Sequence, residues 1–214
     1  MSKSVVLSAR RIYVLRAKIE GSKPPIWRKL SVPGDYSLED LHIVLQIAFG
    51  WENDHMHSFI IDSTEYGMAE SMKMIDVFFD DEIIDENTVC LDDLLAEKQK
   101  FTYLYDFGDS WKHTITVSKT IPAEDDTGEP SAPLCLGGAR AGPPEDCGGI
   151  WGYEEMLEIV KDPAHAHYKE THDWLGDRDP EYFSPEEVNA RFKQVFRKTP
   201  PPKKTSRKPK KPSA

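Results

Sequence analysis

From Phe101 to Ile121 the chain reads FTYLYDFGDSWKHTITVSKTI, two alternating runs broken at Gly108-Asp109. In the first run Phe101, Tyr103, Tyr105 and Phe107 share one face, with Thr102, Leu104 and Asp106 on the other. In the second, His113, Ile115 and Val117 lie opposite Lys112, Thr114, Thr116 and Ser118. Alternation of large apolar with polar residues has the period of a half-buried strand and does not fit a helix. The stretch therefore predicts a β-hairpin with one face in a core. It puts His113 on that face and crowds Asp106, Asp109 and Trp111 at the turn.

The same period opens the chain. In IYVLRAKIE, residues 12 to 20, Tyr13, Leu15, Ala17 and Ile19 alternate with charged residues. After the turn Gly21 to Pro25, Ile26, Arg28, Leu30 and Val32 share a face. The two runs predict an antiparallel hairpin. A helix follows: Ser37 and Asp40 make a capping box, Leu38, Leu41, Val44, Leu45 and Ala48 recur at helical spacing, and Gly50 stops it.

The last third has helical spacing at Tyr153, Met156, Leu157 and Val160, and again around Tyr168, Trp174 and Leu175. A final helix opens at Ser184-Pro185-Glu186-Glu187, with Val188, Phe192, Val195 and Phe196 as its apolar stripe. Residues 62 to 90 read as acidic and irregular, with Val77-Phe78-Phe79 as a short edge strand, and 122 to 147 as a long loop with a mobile tip at 124 to 131. These elements predict an α+β fold. A mainly antiparallel sheet carries an N-terminal hairpin-helix unit, with the C-terminal helices packed on it. At 214 residues with 39% hydrophobic content, residues 8 to 196 suffice for one domain with its own core.

Charge divides the chain in two. Eight of the 27 Lys and Arg residues follow Phe196 with no acid among them, which leaves 19 against 37 acids, or −18, in the rest of the chain. Residues 197 to 214, rich in Pro and Lys, read as a disordered tail. Lys203, Lys204, Arg207, Lys208, Lys210 and Lys211 are the residues by which it would reach nucleic acid or an acidic partner. The other reading is a solvated end that folds back on its own acidic body. No apolar run is long enough for a membrane span and no secretory leader is recognisable, so a membrane partner is not expected. Three cysteines, Cys90, Cys135 and Cys147, are expected as reduced thiols in the cytoplasm.

Candidate chemistry lies in three places. His55 and His57 alternate in an extended run and project the same way. With His113 they form a candidate ligand set for a divalent metal such as zinc, with Asp106 or Asp109 as a further ligand or a base. The plain alternative is a polar network in which Asp106 or Asp109 accepts turn amides and His113 bonds a carboxylate. Eleven residues separate Cys135 from Cys147 and there is no CxxC, so a thiolate site there needs outside ligands. The glycines between and around them let the loop pass closely over the hairpin. Trp111, Trp151 and Tyr153 are candidates to line a groove, or are core aromatics.

YDFGDSWKH at Tyr105 to His113, PPEDCGGIWGYEEML at Pro143 to Leu157, DWLGD at Asp173 to Asp177 and EYFSPEEVN at Glu181 to Asn189 together resemble one family. It is the plasmid ORF-three-like family first named from an Ri plasmid, and the resemblance covers about residues 8 to 196. It implies an association with plasmids and mobile elements, since some members are called resolvase-like passenger proteins of an insertion element. A recombinase is not expected. No nucleophilic Ser lies in an Arg-rich setting, no Arg-His-Arg-Tyr set can be assembled, and Arg10, Arg11, Arg16 and Arg28 belong to or flank simple strands. In the family a Cys often precedes the PPED segment, where this chain has Gly142.

The function these features favour is a non-catalytic binding or accessory module. Its groove for a small molecule or protein lies between the 101–121 hairpin and the 135–153 loop. The alternative is a metal-dependent hydrolase built on the His and Asp residues named above.

Overall fold

The computed structural model describes residues 11–68, 83–123 and 132–196. The Val77-Phe78-Phe79 strand, the loop tip at 124 to 131 and the basic tail lie outside the described residues.

Among the described residues eight strands form one sheet: β1 (Arg11–Ile19), β2 (Trp27–Pro33), β3 (His57–Ile61), β4 (Thr64–Gly67), β5 (Ile84–Asp85), β6 (Lys100–Tyr105), β7 (Trp111–Pro122) and β8 (Leu134–Ala139). Their order is β5-β4-β3-β6-β7-β1-β2-β8. Every pairing is antiparallel except that of β4 with β5. The fold is α+β, as the alternating periods predict.

Helix α1 (Leu38–Phe49) begins as its sequence dictates. Ser37 Oγ accepts the Asp40 amide at 3.1 Å while the Asp40 carboxylate accepts the Ser37 amide at 2.9 Å, and Gly50 ends the helix at φ 84°. Such a cap contributes about 1 kcal/mol. Leu38, Leu41, Val44, Leu45 and Ala48 enter the main core with Tyr13, Leu15, Ala17 and Ile19. The same helix also buries two polar residues, His42 and Gln46.

Cross-strand register sets what surrounds them. Phe59 on β3 is opposite Tyr103 on β6, which is opposite His113 on β7, which is opposite Ile19 on β1. One row on, His57 is opposite Tyr105, and Tyr105 is opposite Trp111. These rows form an aromatic and imidazole layer in the core.

A one-turn helix α2 (Leu91–Leu94) precedes β6, and α3 (Gly149–Ile159), α4 (Tyr168–Leu175) and α5 (Pro185–Val195) follow the sheet. Helix α5 starts at Ser184, whose Oγ accepts the Glu187 amide. Asn189 on α5 accepts the Cys135 amide at 2.7 Å and donates to the Cys135 carbonyl at 3.0 Å. Its side chain thus occupies the free edge of β8 as a further strand would.

The sequence reading needs four corrections. The 122–147 segment contains β8, paired to β2, because Leu134 to Ala139 finds an open edge there. The stretch read as irregular from 62 contains β4, which returns through Asp62 and Ser63, both at positive φ. Phe107 is not a strand residue, because Asp106 turns to φ 54° and ends β6 at Tyr105. Val195 is exposed, so the buried face of α5 rests on Val188 and Phe192.

Candidate functional site

His42 is held by a closed ring of hydrogen bonds. Gln46 Nε2 donates to the Tyr103 hydroxyl at 3.0 Å, and that hydroxyl donates to His42 Nδ1 at 2.8 Å. His42 Nε2 donates to Asn53 Oδ1, and the Asn53 amide returns to Gln46 Oε1 at 3.0 Å. Asn53 Oδ1 can only accept, which puts a proton on Nε2, and burial keeps the ring neutral with the Tyr103 hydroxyl donating to Nδ1. Burial, and next to it the neighbouring His57, push its pKa down to about 3.

His57 stacks on His42 and donates from Nε2 to Glu86 Oε2 at 2.9 Å, with both side chains almost completely buried. Its Nδ1 is buried and has no hydrogen-bond partner among the described residues. His42, Asn53, His55, His57 and Glu86 line one cleft of about 460 Å³.

Beside this cleft three segments meet. The lead-in to β3 brings His55, the hairpin turn brings Asp106, and the loop after β8 brings Glu145 and Asp146. His55 Nδ1 is 3.8 Å from Asp106, and its Nε2 is 3.3 Å from Asp146 and 3.9 Å from Glu145. Ligand atoms of His55, Asp106 and Asp146 all lie within 4.8 Å of one another. Glu145 is positioned through its other oxygen, which accepts the Tyr105 hydroxyl at 2.9 Å and the Glu52 amide at 3.1 Å. Its Oε2 is buried and lacks a hydrogen-bond partner among the described residues.

The loop is fastened to the hairpin and helix beneath it. Gly148 donates to Asp109 at 3.1 Å, and Trp51 Nε1 donates to the Pro143 carbonyl at 3.0 Å. Gly149, at φ 66°, lies against the Asp109 carbonyl, where a side chain has no room.

The residues singled out in the sequence are thus distributed over several places. His55 and Asp106 come together. His57 lines the adjoining cleft but bonds Glu86. His113 is fully buried, donates from Nδ1 to the Trp111 carbonyl at 2.9 Å, and is pushed by burial down to about 4. Among the described residues it bonds no carboxylate. Asp106 also accepts the Gly108 amide at 2.8 Å, so it shapes the turn and faces His55 at once. Asp109 secures the loop.

Cys135 and Cys147 are free, buried thiols in separate settings, and burial drives the Cys147 thiol up to about 12. Trp111 and Tyr153 are buried, whereas Trp151 is 81% exposed and lines a different cleft with Lys23 and Glu154. His42, Gln46, Glu86, Glu145 and Asp146 were not singled out. His42 and Gln46, four apart beside the apolar stripe of α1, carried a signal as two polar residues on a buried helix face. Glu86 carried none, lying in an acidic run.

A family model described as plasmid pRiA4b ORF-3-like protein matches residues 11–191. The uncharacterized protein y4hQ of Sinorhizobium fredii (strain NBRC 101917 / NGR234) is 36% identical over 167 residues, 77% of this chain and 81% of that protein. The crystal structure of a protein of unknown function, MM3350 from Methanosarcina mazei Go1, superposes with a TM-score of 0.72 at 37% identity. That match covers 85% of this chain and 98% of the other. No helix among the described residues is long and apolar enough to cross a membrane. The family match runs from the first strand of the sheet into the last helix and takes in His55, Asp106 and Asp146, and the chain belongs to the plasmid pRiA4b ORF-3-like family.

Proposed function

We propose that the protein is a non-catalytic binding module whose site lies where the hairpin turn, the lead-in to β3 and the loop after β8 meet. Its ligand there is a divalent cation such as zinc. The supporting observation is that one ligand atom each of His55, Asp106 and Asp146 lie within 4.8 Å of one another, with Glu145 3.9 Å from the same imidazole. Three carboxylates exceed what a protonated imidazole can neutralise, and a dication removes more of the excess. Imidazole nitrogen and carboxylate oxygen are both zinc ligands.

Tetrahedral zinc ligands stand about 3.4 Å apart, so the group contracts on loading. Asp146, two-thirds exposed, is the member with room to move. A cation at this point joins three chain segments and completes one wall of the 460 Å³ cleft, which His55 also lines. Calorimetric titration of the full chain with zinc chloride tests this. One site per chain is expected, weakened roughly tenfold or more, about 1.4 kcal/mol, by His55→Ala or Asp106→Asn. Equal binding by the variants overturns it.

A second reading, a metal-dependent hydrolase, is favoured by the His57 and Glu86 pair in the adjoining cleft. Glu86 accepts the hydrogen bond from Nε2, which leaves the lone pair on Nδ1, an arrangement suited to proton transfer. A cation held by His55, Asp106 and Asp146 would supply the acidified water such chemistry needs. On this reading the zinc-loaded protein releases p-nitrophenol from p-nitrophenyl phosphate, and His57→Gln abolishes turnover at unchanged zinc stoichiometry. Turnover no faster than zinc in buffer sets this reading aside.

A further inference from the structure

A second cleft, of about 260 Å³, lies on the far side of α1, between its C-terminal end, the loop after β8 and the start of α5. Its charge is opposite to that of the chain as a whole. Arg28, Arg178 and Arg191 line it, and Glu187 is the one acid among its lining residues. Glu187 is itself engaged by the Tyr182 hydroxyl at 2.6 Å. The Lys and Arg side chains in ion pairs among the described residues are Arg11, Lys112, Arg140, Lys161 and Lys169, which leaves these three arginines outside any such pair.

Arg28 shows that the cleft is built rather than incidental. Its side chain is 1% exposed on the core face of β2, where an aliphatic residue would fit the alternation. Its guanidinium lies between the rings of Phe49 and Phe183, 4.8 and 4.0 Å from their centroids. Both rings are within cation–π distance, and the guanidinium keeps its N–H edges for hydrogen bonds. Nε donates to the Ala48 carbonyl at 2.6 Å, and Nη1 to the carbonyls of Trp27 and Ala139 at 2.9 and 3.1 Å. Among the described residues Nη2 has no hydrogen-bond partner and no carboxylate lies within ion-pair distance of the guanidinium. Burial lowers the pKa of this group to about 10, so it remains a cation at neutral pH.

We infer that this cleft binds a phosphate group, with Nη2 of Arg28 as one donor and Arg178 and Arg191 closing over the ligand from the surface. Three arginines against one glutamate leave two positive charges, matching a phosphate or phosphate monoester near its dianionic form. The donors also suit its oxygens. A carboxylate monoanion would satisfy half of that charge. The site is separate from the cation site at His55, and its ligand carries the opposite charge.

The test is titration of the full chain with inorganic phosphate, phenyl phosphate and acetate at one ionic strength, followed by calorimetry and by thermal shift. Saturable 1:1 binding of both phosphates is expected, with acetate much weaker. Because Arg28 is buried, the variants are placed at the surface. Arg178→Gln and Arg191→Gln should each weaken phosphate roughly fivefold, a modest factor because both are solvent-screened. Glu187→Gln should tighten it. Phenyl phosphate binding more strongly than phosphate locates a free source in small phosphorylated aromatics, and equal binding locates it in phosphate itself. Absence of saturation up to ~10 mM phosphate, acetate binding as tightly as phosphate, or indifference to both arginine variants overturns the inference.

Discussion

The imidazole of His42 on α1 lies parallel to that of His57 on β3, with ring centroids 3.4 Å apart and 3° between the planes. Two buried cations cannot be held face to face at that distance, so one ring has to be neutral. Burial, which pushes the His42 pKa down to about 3, assigns that state to His42, and the hydrogen bonds to Gln46, Tyr103 and Asn53 hold it in place. Tyr103→Phe removes the oxygen that joins Gln46 to His42 while keeping the aromatic volume. It should cost roughly 2 kcal/mol, since two buried polar groups lose their partner. Urea unfolding reads this as a lower midpoint at an unchanged slope.

Stability should fall on acidification, because burial holds His42 at about 3 and His113 at about 4. In the unfolded chain both return to an ordinary value near 6.5. Below that pH the unfolded state binds protons that the folded state refuses, so folding weakens as pH drops towards the folded values. Above it these two groups contribute no slope. Between pH 6.5 and 5 they together remove roughly 3 kcal/mol, a large share of a typical folding free energy. His113→Leu, which replaces a ring whose Nε2 has no partner, should roughly halve that acid slope. A melting temperature unchanged from pH 7 to 5 contradicts the assignment.

The loop after β8 approaches α1 so closely that a Cβ at Gly142 would collide with the Phe49 carbonyl oxygen. Both sides of that contact are backbone, and neither can rotate away. Gly142→Ala should therefore destabilise by roughly 3 kcal/mol. Gly50, at φ 84° with open space around it, serves as the comparison. Gly50→Ala there meets only the cost of a left-handed backbone, about 1 kcal/mol. Thermal unfolding of the two variants distinguishes a steric site from a conformational one. A Cys in place of Gly142 would meet the same obstruction.

Elements whose determinants are local were legible in the sequence. The Ser37 and Asp40 capping box, the Gly50 stop and the start of α5 at Ser184-Pro185 depend on residues within one turn of each other. The first hairpin and the central one follow from period-two alternation. What could not be read depends on distant partners. Leu134 to Ala139 becomes a strand because β2 has a free edge.

The same holds for the site. His55 and Asp106 could be named as polar residues at the ends of strands. Asp146, however, reaches His55 through a loop ninety residues on, and Glu86 reaches His57 from an acidic stretch with no period. Arg28 was visible on the apolar face of its strand, but the two phenylalanines that accommodate it come from a helix and a loop.

The central claim is that His55, Asp106 and Asp146 hold a divalent cation. Diffraction from crystals grown with zinc chloride, recorded at the zinc absorption edge, tests it most directly. The account predicts one anomalous peak per chain about 2.0 to 2.2 Å from a His55 ring nitrogen and from oxygens of Asp106 and Asp146. A peak held by other residues, or no peak with His55 still lying between its carboxylates, would contradict it.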